Sequence, residues 1–221
     1  MPEALAGDGP DALALPELGQ VPWRTRTDER YLRRYARIWT FWTLLYAIPF
    51  PAAALGLVLL EPLAFPVALA CLAHGWIIPE LYAYRGASVL RPKGPRNEHS
   101  EPVAQGLLGD LLDHDPRELQ RRTGLALQDG RLGTWLVGES GALLLTAGGR
   151  RVHCFCVRLA EAGDRRLPPS DRIAHLLLAL RTDEEGFATV ANHAFCGAPW
   201  RVRRRLPPHM RPALDAARGR H

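Results

Sequence analysis

Residues 38–60 read IWTFWTLLYAIPFPAAALGLVLL, a run of 23 positions without a charged side chain. Glu61 and Pro62 interrupt the run, and residues 63–84, LAFPVALACLAHGWIIPELYAY, continue it with a single glutamate. A helix rises 1.5 Å per residue and needs ~20 apolar residues to cross a bilayer, so each stretch is long enough. Because so short a link joins only antiparallel neighbours, the sequence predicts a transmembrane helical hairpin over residues 38–84.

The flanks of this hairpin predict its orientation. Basic residues precede the first stretch and follow the second, whereas the turn at Glu61 has none. The positive-inside rule then places both termini in the cytoplasm and Glu61 outside. The basic flanking residues are Arg24, Arg26, Arg30, Arg33, Arg34, Arg37, Arg85, Arg91, Lys93 and Arg96. Aromatic residues suited to the same interface are Tyr31, Tyr35, Trp39, Trp42, Tyr82 and Tyr84.

Three other interpretations of the apolar stretch were weighed. A cleaved signal peptide is disfavoured, because the first 23 residues are acidic and the apolar run is too long and too late. A buried helical pair in a soluble protein is the second alternative. A re-entrant hairpin is the third, since Pro49 and Pro51 each remove a helical N–H and predict a kink. Prolines are tolerated in membrane helices, so full crossing is preferred.

Composition bounds the class of protein. The chain has 221 residues, 47% of them hydrophobic and 23% charged, which excludes a wholly disordered protein. Four cysteines are too few for a disulfide scaffold. Lys93 is the one lysine among 28 basic residues, a bias typical of GC-rich bacterial genomes. The predicted location is therefore the cytoplasmic (inner) membrane of a bacterium.

The remaining sequence divides into four segments. Each is defined by its composition and charge. The predicted segments are a disordered acidic tail over 1–23, a basic juxtamembrane segment over 24–37, a basic linker over 85–99, and a cytoplasmic α+β domain over 100–221 that ends in an arginine-rich stretch.

The predicted domain mixes helix and strand signals. Ser100 and Asp115 are predicted helix caps, and short apolar runs separated by turn residues over 125–159 predict antiparallel strands. Ser170 is predicted to cap a helix that ends at Gly186 and leads into a last strand, Phe187–Phe195. This order predicts an α+β fold, with an antiparallel sheet covered by helices on one face. The first helix is predicted to bury Val103, Leu107, Leu108, Leu111 and Leu112.

One group of side chains could carry chemistry. It consists of His153, Cys154, Cys156, His193 and Cys196. Thiols and imidazoles are zinc ligands, and a cysteine beside a histidine can act as a nucleophile. Successive residues on a strand face opposite ways, so His153 and the pair Cys154 and Cys156 cannot share one centre. Core packing of free thiols is the preferred interpretation, and no cofactor is predicted.

Two polar residues fall inside the apolar stretch. His74 lies within the second stretch, where a polar ring is costly and suggests either a functional role or a hydrogen bond to a neighbouring helix. The second interpretation is preferred. Glu80 lies near the cytoplasmic end, where an interfacial ion pair with Arg85 explains it.

A basic patch closes the chain. It contains Arg201, Arg203, Arg204 and Arg205 beside Trp200. The sequence predicts contact with anionic lipid head groups, and nucleic acid is disfavoured because no recognised binding module accompanies the patch. The alternative is that these arginines pair with the domain's own acids, such as Asp183, Glu184 and Glu185, which would leave no exposed patch.

These features predict an integral membrane protein of the interaction or regulatory class. Its hairpin would tether an α+β domain to the cytoplasmic leaflet, where the domain binds a protein or a small ligand. The predicted partners are the anionic bilayer and a protein or a second copy of the chain. The alternative is a membrane-tethered hydrolase or metal-binding enzyme that uses the cysteine and histidine group. No catalytic motif favours that alternative.

Overall fold

The computed structural model of the protein describes residues 25–92, 100–157 and 167–220. The predicted tail over 1–23 lies outside these ranges, as do residues 93–99 of the predicted linker. Within them, helices and a five-stranded antiparallel sheet form an α+β fold, as predicted.

Three helices contain the apolar sequence. They are α1 (Glu29–Ala47), α2 (Pro49–Leu60) and α3 (Phe65–Ser88). Asp28 caps α1, because its Oδ1 accepts the Tyr31 N–H at 2.6 Å. The helix is interrupted at Ile48, immediately before the two prolines that lack an N–H. A single 3-10 turn then leads from α2 into α3.

Helices α2 and α3 pack against each other. The Phe50 ring stacks on the His74 imidazole, with 5.7 Å between the ring centroids. Gly75 lets the backbones approach, since a Cβ there would lie 3.3 Å from Cδ of Pro51. Elsewhere, most side chains of the two helices face outward.

The sheet is a meander whose strands neighbour one another in chain order. Its strands are β1 (Ala126–Asp129), β2 (Gly133–Gly138), β3 (Gly141–Thr146), β4 (Val152–Cys156) and β5 (Asn192–Gly197). Gly141 begins β3 with φ +152°, and a Cβ at this position would lie 2.0 Å from the Phe155 carbonyl oxygen. Only glycine therefore permits this tight entry into β3.

Six further helices surround the sheet within the described residues. They are α4 (Glu101–Asp110), α5 (His114–Thr123), α6 (Pro169–Thr182), α7 (Glu184–Val190), α8 (Pro199–Arg205) and α9 (Arg211–Gly219). The prediction that Val103 and Leu107 are buried is wrong, because α4 turns Leu108 inward and leaves both of them exposed. Asp113, rather than Asp115, occupies the N-cap position of α5.

The predicted strand from Phe187 begins too early. Residues 184–190 form α7, and β5 starts only at Asn192. Asp183 explains the difference, because its Oδ1 accepts the Gly186 N–H at 2.8 Å and caps a new helix. Ser170 is not a cap either, since it lies within the first turn of α6 and donates its hydroxyl to Glu101.

Helices cover both faces of the sheet, so the prediction of one covered face is wrong. On one face, Leu136 and Leu143 pack with Val202 of α8 and Leu214 of α9. On the other, Trp135 and Leu144 pack with α4 and α6. Every residue of β2 is buried, as expected for a strand enclosed from both sides.

The apolar helices also enter this core. Leu32 of α1 joins the cluster on one face of the sheet, whereas Ala83 and Ala87 of α3 join the cluster on the other. The predicted boundary at residues 84 and 85 therefore falls inside a continuous helix. Val89 and Leu90, predicted as linker, are buried against the sheet.

Candidate functional site

The junction between the apolar helices and the sheet is rich in aromatic side chains. Trp39 of α1 meets Tyr82 of α3 and Phe195 of β5 edge-on, at centroid distances of 5.8 and 6.0 Å. A groove of about 420 Å³ opens beside them. Its lining residues are Tyr35, Ile38, Trp39, Trp42, Thr43, Tyr46 and Tyr82. Predicted aromatic residues from both apolar stretches are thus brought to one level of the molecule.

Glu80 is the charged centre of this junction. Its carboxylate is 6% exposed and accepts hydrogen bonds from two arginines of α8. Nη1 of Arg201 lies 3.4 Å from Oε1, and Nη2 and Nε of Arg205 lie 2.6 and 3.0 Å from Oε2. These partners replace the predicted Arg85, and they fasten α8 to α3.

The other two residues of the arginine patch are placed differently. Arg203 forms a two-pronged pair with Asp215, both nitrogen–oxygen distances being 2.8 Å. The hydrogen bonds from Arg203 lower the pKa of Asp215, with burial acting weakly against them. Arg204 is exposed and lies over the Trp200 ring, its guanidinium carbon 5.8 Å from the centroid.

The alternative partners predicted for these arginines have other roles. Asp183 caps α7, as described above. Glu184 accepts hydrogen bonds from the backbone N–H groups of Arg131 and Leu132 and from Nε1 of Trp135, at 2.7, 3.0 and 2.6 Å. Glu185 pairs with the Arg131 side chain. Glu184 and Glu185 thus hold the β1–β2 loop to α7. None of the three predicted acids pairs with the arginine patch in the described structure, although Arg203 does pair with another acid of the domain, Asp215.

The cysteine and histidine group divides between the two faces of the sheet. Cys154 and Cys156 face the side covered by α3. His153, His193 and Cys196 lie together on the other side, next to α1. The strand register explains this, because His153 pairs with Cys196 across β4 and β5 and Phe155 pairs with His193. The structure therefore confirms that His153 shares no centre with Cys154 and Cys156.

The three residues beside α1 form a chain of hydrogen bonds. Nδ1 of His153 lies 3.1 Å from Nε2 of His193, and Nε2 of His153 lies 3.9 Å from the Cys196 thiol. His153 therefore contacts one neighbour through each ring nitrogen, and the three side chains form a continuous row from His193 to Cys196.

Burial keeps this chain uncharged. Desolvation, followed by the neighbouring His193 and Arg151, lowers the pKa of His153 to about 3. Desolvation also lowers the pKa of His193 to about 4 and raises the pKa of Cys196 to about 12. Burial raises the pKa of Cys154 as well. Neither thiol is a thiolate at neutral pH, as a nucleophile must be.

The geometry also argues against a metal centre in this group. Each nitrogen of His153 faces a different neighbour, so the lone pairs of the three residues do not converge on one point. Across the described ranges, no three His, Cys, Asp or Glu side chains are arranged to hold a metal ion. His153 and Cys196 are each 1% exposed, which gives a substrate no access.

Helix α1 covers the hydrogen-bonded row of His153, His193 and Cys196. Tyr35 stacks on the His193 ring at a centroid distance of 4.0 Å. One turn further along, the Thr40 hydroxyl accepts a hydrogen bond from Arg151 at 2.9 Å. The group therefore fastens α1 to the sheet rather than forming an open site.

His74 has a local partner. Its Nδ1 lies 2.7 Å from the Ala70 carbonyl oxygen one turn earlier on α3. Since a carbonyl only accepts, Nδ1 carries the proton and donates it. The hydrogen bond to Ala70 satisfies Nδ1, and the ring also stacks on Phe50.

A small polar cavity of about 120 Å³ lies elsewhere, between α4, α5 and α6. The Ser170 hydroxyl donates to Oε1 of Glu101 at 2.7 Å beside it, and Gln120, Glu139 and His209 also line it. Sequence reasoning missed this cavity because its residues are far apart in the chain and match no motif.

Comparison with known proteins gives no match: no family model, curated protein or solved structure resembles the chain at a significant level. The fold defines an α+β protein with two helical stretches, Glu29–Leu60 and Pro62–Ser88, that are long and apolar enough to cross a membrane by length and composition. Only 6% of the apolar window of each stretch is buried.

Proposed function

We propose that the protein is a two-span membrane protein that holds its α+β domain rigidly at the cytoplasmic leaflet for interaction with a partner. The observation that carries this proposal is the exposure of the apolar helices. A core helix of a soluble protein would be mostly buried, whereas these windows are 6% buried. Apolar surface costs ~25 cal/mol per Å² in water, so a continuous exposed area of this kind needs another solvent.

The dimensions support a full crossing. From the turn at Glu61 to the ion pair at Glu80, α3 and its preceding turn rise about 27 Å, close to the ~30 Å of a hydrocarbon core. At the turn, Leu60 and Leu63 are exposed beside Glu61. At the other end lie the aromatic junction and the Glu80 ion pairs. The apolar length thus ends at polar groups on both sides.

The charges support the orientation. Arg33, Arg34 and Arg37 are exposed on the part of α1 that lies against the domain, and Arg85 is exposed on α3. The turn at the opposite end contains no base. Positive residues collect on the cytoplasmic side, so the domain faces the cytoplasm in this proposal.

The domain itself supports an interaction role over catalysis. Its His153, His193 and Cys196 side chains are uncharged and in contact with one another, and His153 and Cys196 are buried. By contrast, α4 exposes Val103 and Leu107, which are 67% and 58% accessible on a helix that is folded against α6. An exposed apolar helix face of this kind suits a protein partner.

The membrane proposal is tested by placing arginines in the apolar window. We expect the double substitution Leu69→Arg and Leu72→Arg to remove the protein from the carbonate-resistant membrane fraction, because each arginine costs ~2.5–3.5 kcal/mol at the centre of a span. The measurement is the fraction of full-length chain that pellets with membranes after alkaline carbonate extraction.

Val103→Arg with Leu107→Arg is the matched control, since all four leucine and valine side chains are exposed in the structure. In water, both doubles would be tolerated equally; in a membrane, only the first is harmful. Equal extraction of the two variants would contradict the proposal. For the unmodified chain, reporters at both termini should read cytoplasmic, and a periplasmic reading at one end would refute the two-span topology.

A further inference from the structure

A second groove lies outside the aromatic junction, between α3 and α8. It measures about 470 Å³. The residues that line it are Trp76, Ile77, Glu80, Leu81, Tyr84 and Arg205. One end of the groove is an apolar strip on the outward side of α3, and the other end is the Glu80 ion pair. This order, apolar then charged, is that of a lipid molecule.

The charged end has an excess of positive groups. Glu80 is the acceptor for both Arg201 and Arg205. Arg91 adds a third guanidinium, which donates to the Arg205 carbonyl and lies 4.8 Å over the Tyr84 ring. Three cations therefore surround one carboxylate, and the local charge favours an anion.

Arg91 also has unused hydrogen-bonding capacity. Its Nε is buried and meets no hydrogen-bond partner among the described residues. Because this atom is enclosed and Arg91 does not line the groove, Arg91 adds positive charge behind Tyr84 and Arg205 rather than an open donor. Arg205 lines the groove and is partly exposed, and a guanidinium is well suited to binding phosphate oxygens.

We propose that this groove binds one acidic phospholipid, with its phosphate at Arg205, where Arg91 and Arg201 add positive charge, and an acyl chain along Trp76, Ile77 and Leu81. The inference rests on the membrane proposal above and names a partner for it. A free phosphate has no apolar part that could contact the apolar wall. A zwitterionic lipid would add a cation to a region that is already positive. Charge and apolar length together therefore select an anionic lipid.

The test is lipid binding to full-length protein purified in a neutral detergent. Native mass spectrometry would measure the dissociation constants of phosphatidylglycerol and phosphatidylcholine. We expect phosphatidylglycerol to bind about tenfold more tightly, the equivalent of one charge-assisted hydrogen bond, and Arg91→Gln to remove the preference. Arg117→Gln is the matched control, since Arg117 of α5 also has a buried Nε without a partner in the described structure.

A second variant tests the apolar wall without touching a charge. Leu81 is exposed, so Leu81→Trp should fill the groove, leave the thermal melting curve unchanged and weaken phosphatidylglycerol binding about tenfold. Leu69→Trp, on the same helix but outside the groove, should not weaken it. This pair decides the question even where Arg91→Gln fails to fold.

Two results would overturn the inference. One is equal affinity for the two lipids in the unmodified chain. The other is full competition by inorganic phosphate at the concentration of the lipid, which would show a phosphate site without a lipid site. Both leave the carbonate-extraction result untouched, so the lipid inference can fail while the membrane proposal stands.

Discussion

The α2–α3 pair and the sheet contain the same apolar residue types, but the sheet buries them and the helical pair leaves most of them exposed. Leu143, Leu144 and Leu145 of β3 are fully buried, whereas Leu60 and Leu63 beside the α2–α3 turn are 86% and 87% exposed. Apolar content alone therefore does not indicate where a segment is buried. The difference lies in what surrounds each segment: helices enclose β3 from both faces, and nothing in the described structure encloses the turn.

The two regions meet inside one helix. The first part of α3 is exposed and apolar, and its last turns pack under Phe195 and against Val202. The domain is therefore packed directly against α3. The sequence had predicted a linker between the two instead. Its core includes residues that precede the predicted domain boundary.

The sharpest way to break the comparison is to separate the regions. Residues 100–221 expressed alone lack Leu32, Ala83, Ala87, Val89 and Leu90. Each buried Leu or Val contributes ~1.5–3 kcal/mol, against a total stability of ~5–15 kcal/mol for a typical domain. We expect this fragment to show no cooperative thermal transition by circular dichroism, whereas the full chain in detergent does. A cooperative melt of the fragment would show that the regions are independent.

A glycine pair compares the two halves of the apolar sequence. A Cβ at Gly86 would lie 2.7 Å from the Phe195 Cβ, whereas a Cβ at Gly56 meets nothing within 4 Å. We expect Gly86→Ala to lower the free energy of unfolding by about 1–3 kcal/mol through overpacking, as measured by thermal unfolding in detergent. Gly56→Ala should be neutral or slightly stabilising, since alanine favours helix. Equal effects would mean that α3 does not pack on the sheet as described.

A smaller effect tests the contact between α1 and the sheet. The pKa values of His153 and His193 are lowered in the folded state, so the unfolded chain takes up protons first as the pH falls. The contribution of these two neutral imidazoles to the free energy of unfolding is complete above about pH 6.5 and decreases as the pH falls toward 4. At pH 5.5 each buried imidazole should reduce the free energy of unfolding by about 1 kcal/mol relative to pH 7.5.

Melting curves at the two pH values measure this loss, and His193→Gln should reduce it by about half. His175→Gln is the control, because His175 is exposed on α6. An unchanged pH dependence in His193→Gln would refute the neutral, buried state assigned to that ring.

Local signals in the sequence predicted much of the fold. Turn residues and short apolar runs located the antiparallel strands, and the proline pair marked the interruption after α1. The cover by helices on both faces of the sheet was not predicted, although the sequence of β2 indicates it. Trp135, Leu136 and Val137 of β2 are consecutive apolar residues, not alternating ones. A strand with one solvent-exposed face would have shown alternating apolar and polar residues.

The candidate site was harder to predict because its contacts are distant in the chain. Strand alternation correctly separated His153 from Cys154. It could not show that Cys196 joins His153, because that depends on the register of strands 43 residues apart. The same limit applied to Glu80 and Arg205, which are separated by 125 residues. Arg85 was the better local choice, and tertiary packing overrode it.

The burial of α3 beneath α8 also sets the order in which the protein can be made. Arg91 and the Arg205 carbonyl that it binds are 114 residues apart, so the first leaves the ribosome long before the second. At ~5–20 residues per second, the interval is roughly 6–20 s. Throughout it, Glu80 lacks the two arginines of α8 that pair with it. In the membrane proposal, the helices are therefore inserted before α8 closes over their base.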